Sequence, residues 1–319
     1  MIRYIIVRLL QAIPTVVLAS IFVFLLIHLV PGDPALILAG PDPTPEVVAA
    51  IRQKMGLDQS LPVQYLTWAG NALHGDLGVS YINQYPTWEL VMLRAPASFE
   101  LLVAGFTLSL LVALPLGILA SLRQHSRIDM GISIYTSVAL GIPNFWLGIL
   151  LILLFSLGLG WLPPGGRVPL LEDPGRGWKY LVMPVVALAI AQAAILTRFV
   201  RVSMLEVLHD DYIRTARAKG LQERVILVRH ALRNALVPIV TVAGIQIGRL
   251  LGGTVIIETV FAWPGLGRML INAIATRDYA VVQGGLLLLV MAFILVNLIT
   301  DIIYAFLDPR IRLAKDSGA

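Results

Sequence analysis

Residues 210–240 read DDYIRTARAKGLQERVILVRHALRNALVPIV, a polar, arginine-rich stretch inside a chain that is otherwise greasy. Gly220 stands near its middle, where a helix end favours a residue able to adopt the left-handed conformation. From Ser203 to Lys219, Leu205, Leu208, Tyr212 and Ala216 recur at three- and four-residue steps and so share one helical face. Glu206, Asp210, Arg214 and Arg217 share another. Beyond Gly220, Leu221, Val225, Val228 and Leu232 line one side of a second helix that leads to Pro238 and a further apolar run. The pattern predicts a helix–turn–helix elbow over residues 203–234, with a membrane span at each end. Its outside offers Arg214, Arg217, Lys219, Arg224, Arg229 and Arg233. By spacing alone two roles stay open. One is an interfacial helix whose basic side chains lean on anionic lipid. The other is a docking knob whose guanidinium forks meet carboxylates of a soluble partner.

Composition sets the frame for that elbow. The chain has 319 residues, 58% hydrophobic and 13% charged, with mean hydropathy +0.84. Soluble domains carry about 25% charged residues, so these proportions describe a polytopic membrane protein. A net charge of +5 and a pI near 9.6 fit basic residues retained on the cytoplasmic side and call for no nucleic acid. Cysteine is absent, which excludes disulfides and thiolate metal sites. No G-x-x-x-x-G-K-[ST] loop exists to cradle nucleotide phosphates, and the glycines of Pro264–Gly267 lack the following lysine. His28, His74, His125, His209 and His230 have no metal-ligand spacing. The expectation is a non-enzymatic protein that binds no cofactor or metal of its own.

Six segments are long enough to cross about 30 Å of hydrocarbon: Leu9–Val30, Phe99–Leu122, Gly131–Leu159, Leu181–Val202, Ala235–Ile257 and Val281–Leu307. The first is too long for a signal-peptide core and reads as a retained span. Placing the N-terminus inside puts Arg3, Arg8, Arg123, Arg127, the elbow, Arg310, Arg312 and Lys315 in the cytoplasm, so both termini are predicted there. The long outer segment, residues 31–97, carries two helical signatures. Thr44–Pro45 opens one that Gly56 closes, and Pro62 and Gly75 bracket another. The chain therefore divides into residues 1–98, a span with a long external loop of short helices, and residues 99–319, five spans with the elbow between two of them. No internal repeat appears, so the inverted symmetry of many secondary transporters has no support.

Within the predicted spans a few polar positions stand out. Gly244, Gly248 and Gly252 step by four along the fifth span, a close-packing stripe for this subunit or for a companion. Arg249 is costly in hydrocarbon and is expected to face protein or a water-filled path, where it meets a peptide carboxylate, or else to bond backbone carbonyls or snorkel. Asn297 and Asp301 share a face of the last span. The depths of Arg249 and Asp301 differ by about two helical turns, which argues against a direct pair between them. We expect Asn297 and Asp301 to act as glue between helices or to line the same path as Arg249. After the fifth span, Glu258, Phe261, Trp263 and Pro264 suggest a short interfacial or re-entrant helix on the outer side.

The elbow resembles the cytoplasmic EAA loop of ABC-importer membrane subunits. The general form is Glu-Ala-Ala, three residues, Gly, nine residues, then Ile-x-Leu-Pro. Here Arg214-Thr215-Ala216, Gly220 and His230-Ala231-Leu232-Arg233 occupy those places, with Ala216, Gly220 and Leu232 matching. The departures coincide with the version found in the first, B-type permease of the dipeptide/oligopeptide family. The resemblance continues through PGDPA (31–35), VQYLTWAGNALHGDLGVSY, GIPNFWLGILLILLF, ETVFAWPGLGRML, RDYAVVQG and VNLITDIIYAFLDPRIR. It implies an all-α, six-helix type I ABC importer permease of the bacterial inner membrane. It also implies a homologous second permease, two ATPase subunits carrying ATP and Mg, and an external substrate-binding protein. In this reading Asp211, Tyr212, Arg214, Thr215, Ala216, Arg217, Ala218, Lys219, Gly220 and Leu221 form the coupling helix against an ATPase, and Glu258, Phe261, Trp263 and Pro264 lie at an outer gate. Family cargoes include peptides, glutathione, nickel chelates and haem. A stand-alone secondary transporter is the alternative from another class.

Overall fold

The computed structural model describes residues 2–29, 34–40 and 42–307. Arg310, Arg312, Lys315 and part of the PGDPA motif lie outside them. Among the described residues the chain is helical, and a single bridge between Val79 and Pro86 is its one β feature. The helices run in order as α1 (Ile2–Leu29), α2 (Pro34–Ala39), α3 (Pro45–Lys54), α4 (Leu61–Leu73), α5 (Thr87–Leu122), α6 (Arg127–Gly141) and α7 (Asn144–Leu151). They continue as α8 (Pro174–Leu208), α9 (Asp211–Ala218), α10 (Glu223–Val225), α11 (Arg233–Val260), α12 (Leu266–Ala275) and α13 (Tyr279–Leu307). Wider π turns extend α7 over Ile152–Gly158 and lead from α10 into α11 over Ile226–Leu232.

Five of the expected spans form as long apolar helices. The third does not run straight. It is α6 followed by α7 and its π turn, bent by 97°. Pro143 accounts for the break: a proline disfavours helical geometry in the preceding residue, and Ile142 is extended with φ −96° and ψ 118°. Pro14, Pro184 and Pro238 stay inside helices, so proline alone does not say where a span breaks.

Contacts group the chain into two compact units. The first holds residues 1–8, 97–263 and 295–319. Its centre is α8, packed against α6, α7 and α11 and buried over 61% of its most apolar window. Leu101, Met183, Leu188, Leu250, Ile257, Phe261 and Trp263 make one core. In a bilayer such packing is favoured by close fit and by polar pairs more than by escape from water. Gln246 Nε2 donates to Gln192 Oε1 at 2.6 Å, a buried link between α11 and α8. Arg201 grips Asp129 with two hydrogen bonds of 2.8 Å, tying α8 to the start of α6.

The second unit holds residues 9–96 and 264–294. Both expected outer helices form. Thr44 caps α3 by accepting from Val47 N, with Pro45 in the first turn, and α4 starts one residue before Pro62. The Phe24 ring packs near Tyr65 and Trp68, and the Tyr65 hydroxyl lies 2.9 Å from Ser20 Oγ. Asp278 is buried and accepts from Ser80 Oγ and from Tyr81 N, which fixes the loop before α5. Burial, then the charge of Asp278, pushes the Tyr81 phenol up to about 12.

One glycine of the predicted stripe carries a close helix contact. A Cβ on Gly244 would clash with the Thr300 side chain, whereas a Cβ on Gly252 would meet nothing within 4 Å. Gly244→Ala should therefore destabilise the subunit by about 1–3 kcal/mol through overpacking. Gly252→Ala should not lower its stability. Thermal unfolding of the two purified variants beside the parent checks the contrast.

Candidate functional site

The elbow is the most sharply divided surface in the chain. Val200, Met204, Ile213, Ala216, Ile226, Ala231, Ala235 and Ile239 close a core beneath it, flanked by Leu114 and Ile118 from α5. Its outer side is bare: Asp211, Tyr212, Arg214, Thr215, Arg217, Ala218, Lys219, Gly220 and Leu221 are all exposed, and Ala216 alone of the predicted set is buried. The expected continuous helix over 203–219 is interrupted. Helix α8 ends at Leu208, and Asp210, extended with φ −65° and ψ 146°, starts α9. The break turns the buried face. Ile213 packs inward where periodicity pointed to Tyr212, and Tyr212 is exposed.

Local contacts hold the turn in shape. Gly220 has φ +76°, as expected for its place, and its N–H donates to Arg217 O. Arg217 reaches across the turn to Glu223 with hydrogen bonds of 2.7 and 3.2 Å. That hydrogen bond, with the carboxylate charge, holds the Arg217 pKa above its ordinary value. Both side chains are largely in solvent, so the bridge contributes at most about 1 kcal/mol. Asn234 Nδ2 donates to the Tyr212 hydroxyl at 2.7 Å, bracing α9 against the start of α11. The core below α9, rather than these surface bonds, makes the elbow rigid.

The second feature is the bare face of α11. Thr241, Ile245, Arg249, Gly252, Ile256 and Thr259 are all exposed. At 3.6 residues per turn they fall within an arc of about 80°. The buried residues Ile239, Ala243, Gln246, Leu250 and Ile257 occupy the opposite side. Arg249 makes no ion pair or hydrogen bond among the described residues. An arginine at the centre of a span and turned to lipid costs about 2.5–3.5 kcal/mol. Asn297 is half-buried. Asp301, grouped with Arg249 as a candidate path residue, is instead engaged by Arg8 at 3.1 Å, an ion pair between the first and last helices.

Glu258, Phe261 and Trp263, expected to form an outer gate, are buried, and Pro264 is half-buried. Ser98 Oγ donates to Glu258, and Trp263 Nε1 donates to Ala97 O at 2.9 Å. Arg167 pairs with Glu100 at 2.7 Å and lies 5.9 Å from the Trp263 ring centre, while Gly166 N–H donates to Phe261 O. These side chains therefore pin the loop after α7 onto α5 and the end of α11. Sequence reading missed Arg8, Ser98, Glu100, Arg167 and the Arg201–Asp129 pair. The only signal was a charge or hydroxyl inside or beside an apolar run, which names no partner. Among the described residues no group of acidic or histidine side chains is placed to hold a metal ion.

Comparison with known proteins bears on the whole chain. The family model of the binding-protein-dependent transport system inner membrane component matches residues 113–313. The model for the N-terminal part of such membrane components matches residues 1–102. The chain is 43% identical over 306 residues to the "Putative peptide transport system permease protein" of Brucella suis biovar 1, covering 96% of this chain and 97% of that one. It is 40% identical over 315 residues to the glutathione transport system permease protein GsiC of Escherichia coli K12, covering 98% and 99%. Among solved structures, a chain of the inward-facing MetNI methionine ABC transporter aligns with TM-score 0.55 at 19% identity, covering 69% of this chain and 96% of that chain. This last likeness is one of fold.

The elbow core gives a direct test of rigidity. Ile213→Ala should cost about 2–5 kcal/mol of local stability by leaving a cavity. Trypsin added to inside-out vesicles should then cut at Arg214, Arg217 and Lys219 faster than in the parent. Equal cutting rates would mean that this core does not hold the elbow.

Proposed function

The chain belongs to the binding-protein-dependent transport system inner membrane component family, the permease subunits of ABC importers, and we propose that its cargo is a di- or oligopeptide. It works beside a homologous second permease subunit, two ATPase subunits that carry ATP and Mg, and an external substrate-binding protein. Residues 1–98 form an N-terminal span with its external segment, and residues 99–319 form the permease core. The two family models, which end at 102 and begin at 113, support that division.

The observation that carries the mechanism is the division of the elbow into a closed core below and a bare, basic outer face above. A surface of this kind fits a cleft in an ATPase subunit. Asp211, Tyr212, Arg214, Thr215, Arg217, Ala218, Lys219, Gly220 and Leu221 make the contact, and Ala216 anchors α9 to the core. When the ATPase pair closes, the elbow moves as a solid piece, and α8 and α11, which share its core, move with it. Between the spans, the stripe on α11 faces the companion subunit and the path. The peptide reading rests on the relatives. Glutathione, itself a tripeptide, is a second cargo supported by the 40% identity to GsiC.

Coupling is tested with the assembled importer. Arg217→Glu places a carboxylate opposite Glu223 and reverses the charge of the docking face. Gly220→Pro demands a negative φ where the chain has +76°. Each should reduce ATP-driven uptake at least about tenfold, a loss of about 1.4 kcal/mol or more in the coupled step. Membrane insertion, read by western blot of the membrane fraction, should be unchanged. Uptake at the parental rate by both variants would refute the coupling role. Transport by this subunit reconstituted alone would point to a secondary transporter. Competition of labelled tri-alanine uptake by glutathione separates the two cargoes.

A further inference from the structure

We propose that Arg249 is a substrate-binding residue that takes the carboxylate of the passing peptide by a bidentate hydrogen bond, an inference that rests on the peptide-importer reading above. The argument starts from the character of two bare helix faces. On α1 the exposed side chains are mostly apolar (Ile6, Leu9, Leu10, Ile13, Leu18 and Phe22), with Gln11 and Thr15 the polar members and no charge among them. The bare stripe of α11 contains Thr241, Arg249, Gly252 and Thr259 beside Ile245 and Ile256. That mixture suits a neighbour that is protein or water.

Depth removes the usual escape for an intramembrane arginine. Arg249 lies 11 residues before Val260 and 16 residues after Arg233, counted from the printed ends of α11. At 1.5 Å per residue this is about 16 Å from the outer end and about 24 Å from the inner end. An arginine side chain of about 7 Å stops short of both ends of the helix from that depth. The nearby acids of the same unit are already engaged: Arg8 holds Asp301, and Glu258 is buried on another face of α11 with Ser98 donating to it. Gln246, one turn earlier, points away and bonds Gln192. Among the described residues the donors of Arg249 thus have no acceptor.

Space and chemistry then select the ligand. Gly252, one turn towards the outer end on the same stripe, is open, and a Cβ there would meet nothing within 4 Å. The stripe is therefore uncrowded within this chain one turn from Arg249. The paired N–H groups of a guanidinium match the two oxygens of a carboxylate in a geometry that a lysine ammonium cannot copy. Every unmodified peptide ends in such a carboxylate whatever its side chains, so one arginine in the path gives a grip that tolerates varied sequences.

The test uses the complete importer in proteoliposomes with its binding protein. The probes are labelled tri-alanine and tri-alanine amide, and the variants are Arg249→Lys and Arg249→Gln. Arg249→Gln should lower tri-alanine uptake about tenfold or more while changing amide uptake less than about twofold. Arg249→Lys should fall between. Should the parent carry no amide, Arg249→Lys retaining about a third of the tri-alanine rate, with Arg249→Gln below about a tenth, supports the assignment. The reverse order overturns it. Equal effects on both probes, or none on either, overturn it, as does loss of the companion permease from the purified Arg249→Gln complex, which would mark an assembly contact. If the parental importer carries neither peptide, the peptide reading fails and the inference falls with it, whatever the variants do.

Discussion

Hydrocarbon offers no water to an unpaired polar group, and that constraint shapes this chain more than any single contact. Backbone amides meet it by forming helices. Side-chain charges meet it by finding partners, and most of those found here lie far apart in sequence: Arg8 with Asp301, Glu100 with Arg167, Asp129 with Arg201, and Ser98 with Glu258. Each ties two helices, or a helix and a loop, that sequence proximity would not join. The polar residues of an apolar chain thus act as its staples. Arg249 has no such partner among the described residues, and it lies deeper in its helix than Arg94 and Lys179, which also have none.

The elbow follows a different rule because its outer side is exposed. Its surface hydrogen bonds and ion pair are exposed and contribute little. What makes it firm is the apolar core shared by α8, α9, the π turn over Ile226–Leu232 and the start of α11. The π turn lies where the elbow passes into α11, and wider turns of this kind recur at functional positions.

Much of this architecture can be read from residue order. The apolar runs mark the spans, Thr44, Pro45 and Gly56 mark an outer helix, and Gly220 marks the turn of the elbow, because each depends only on local geometry or on length. A row of glycines at a four-residue step is visible along α11. Its meaning is not: Gly244 is filled by Thr300 and Gly252 is open. The faces of α9 were misassigned for a related reason. A two-residue break at His209–Asp210 resets the helical phase, and a periodic pattern read across the break then names Tyr212 in place of Ile213.

Sequence alone determined what the chain's solvent is, how many apolar segments it has, where the basic elbow falls and which family it resembles, since composition and local motifs carry that information directly. Tertiary structure decided which side chains meet. It bent the third span at Pro143 while leaving Pro14, Pro184 and Pro238 inside helices, buried Glu258, Phe261 and Trp263, gave Asp301 to Arg8, and left Arg249 bare. Burial and pairing depend on neighbours brought together across the chain, and no local pattern specifies them.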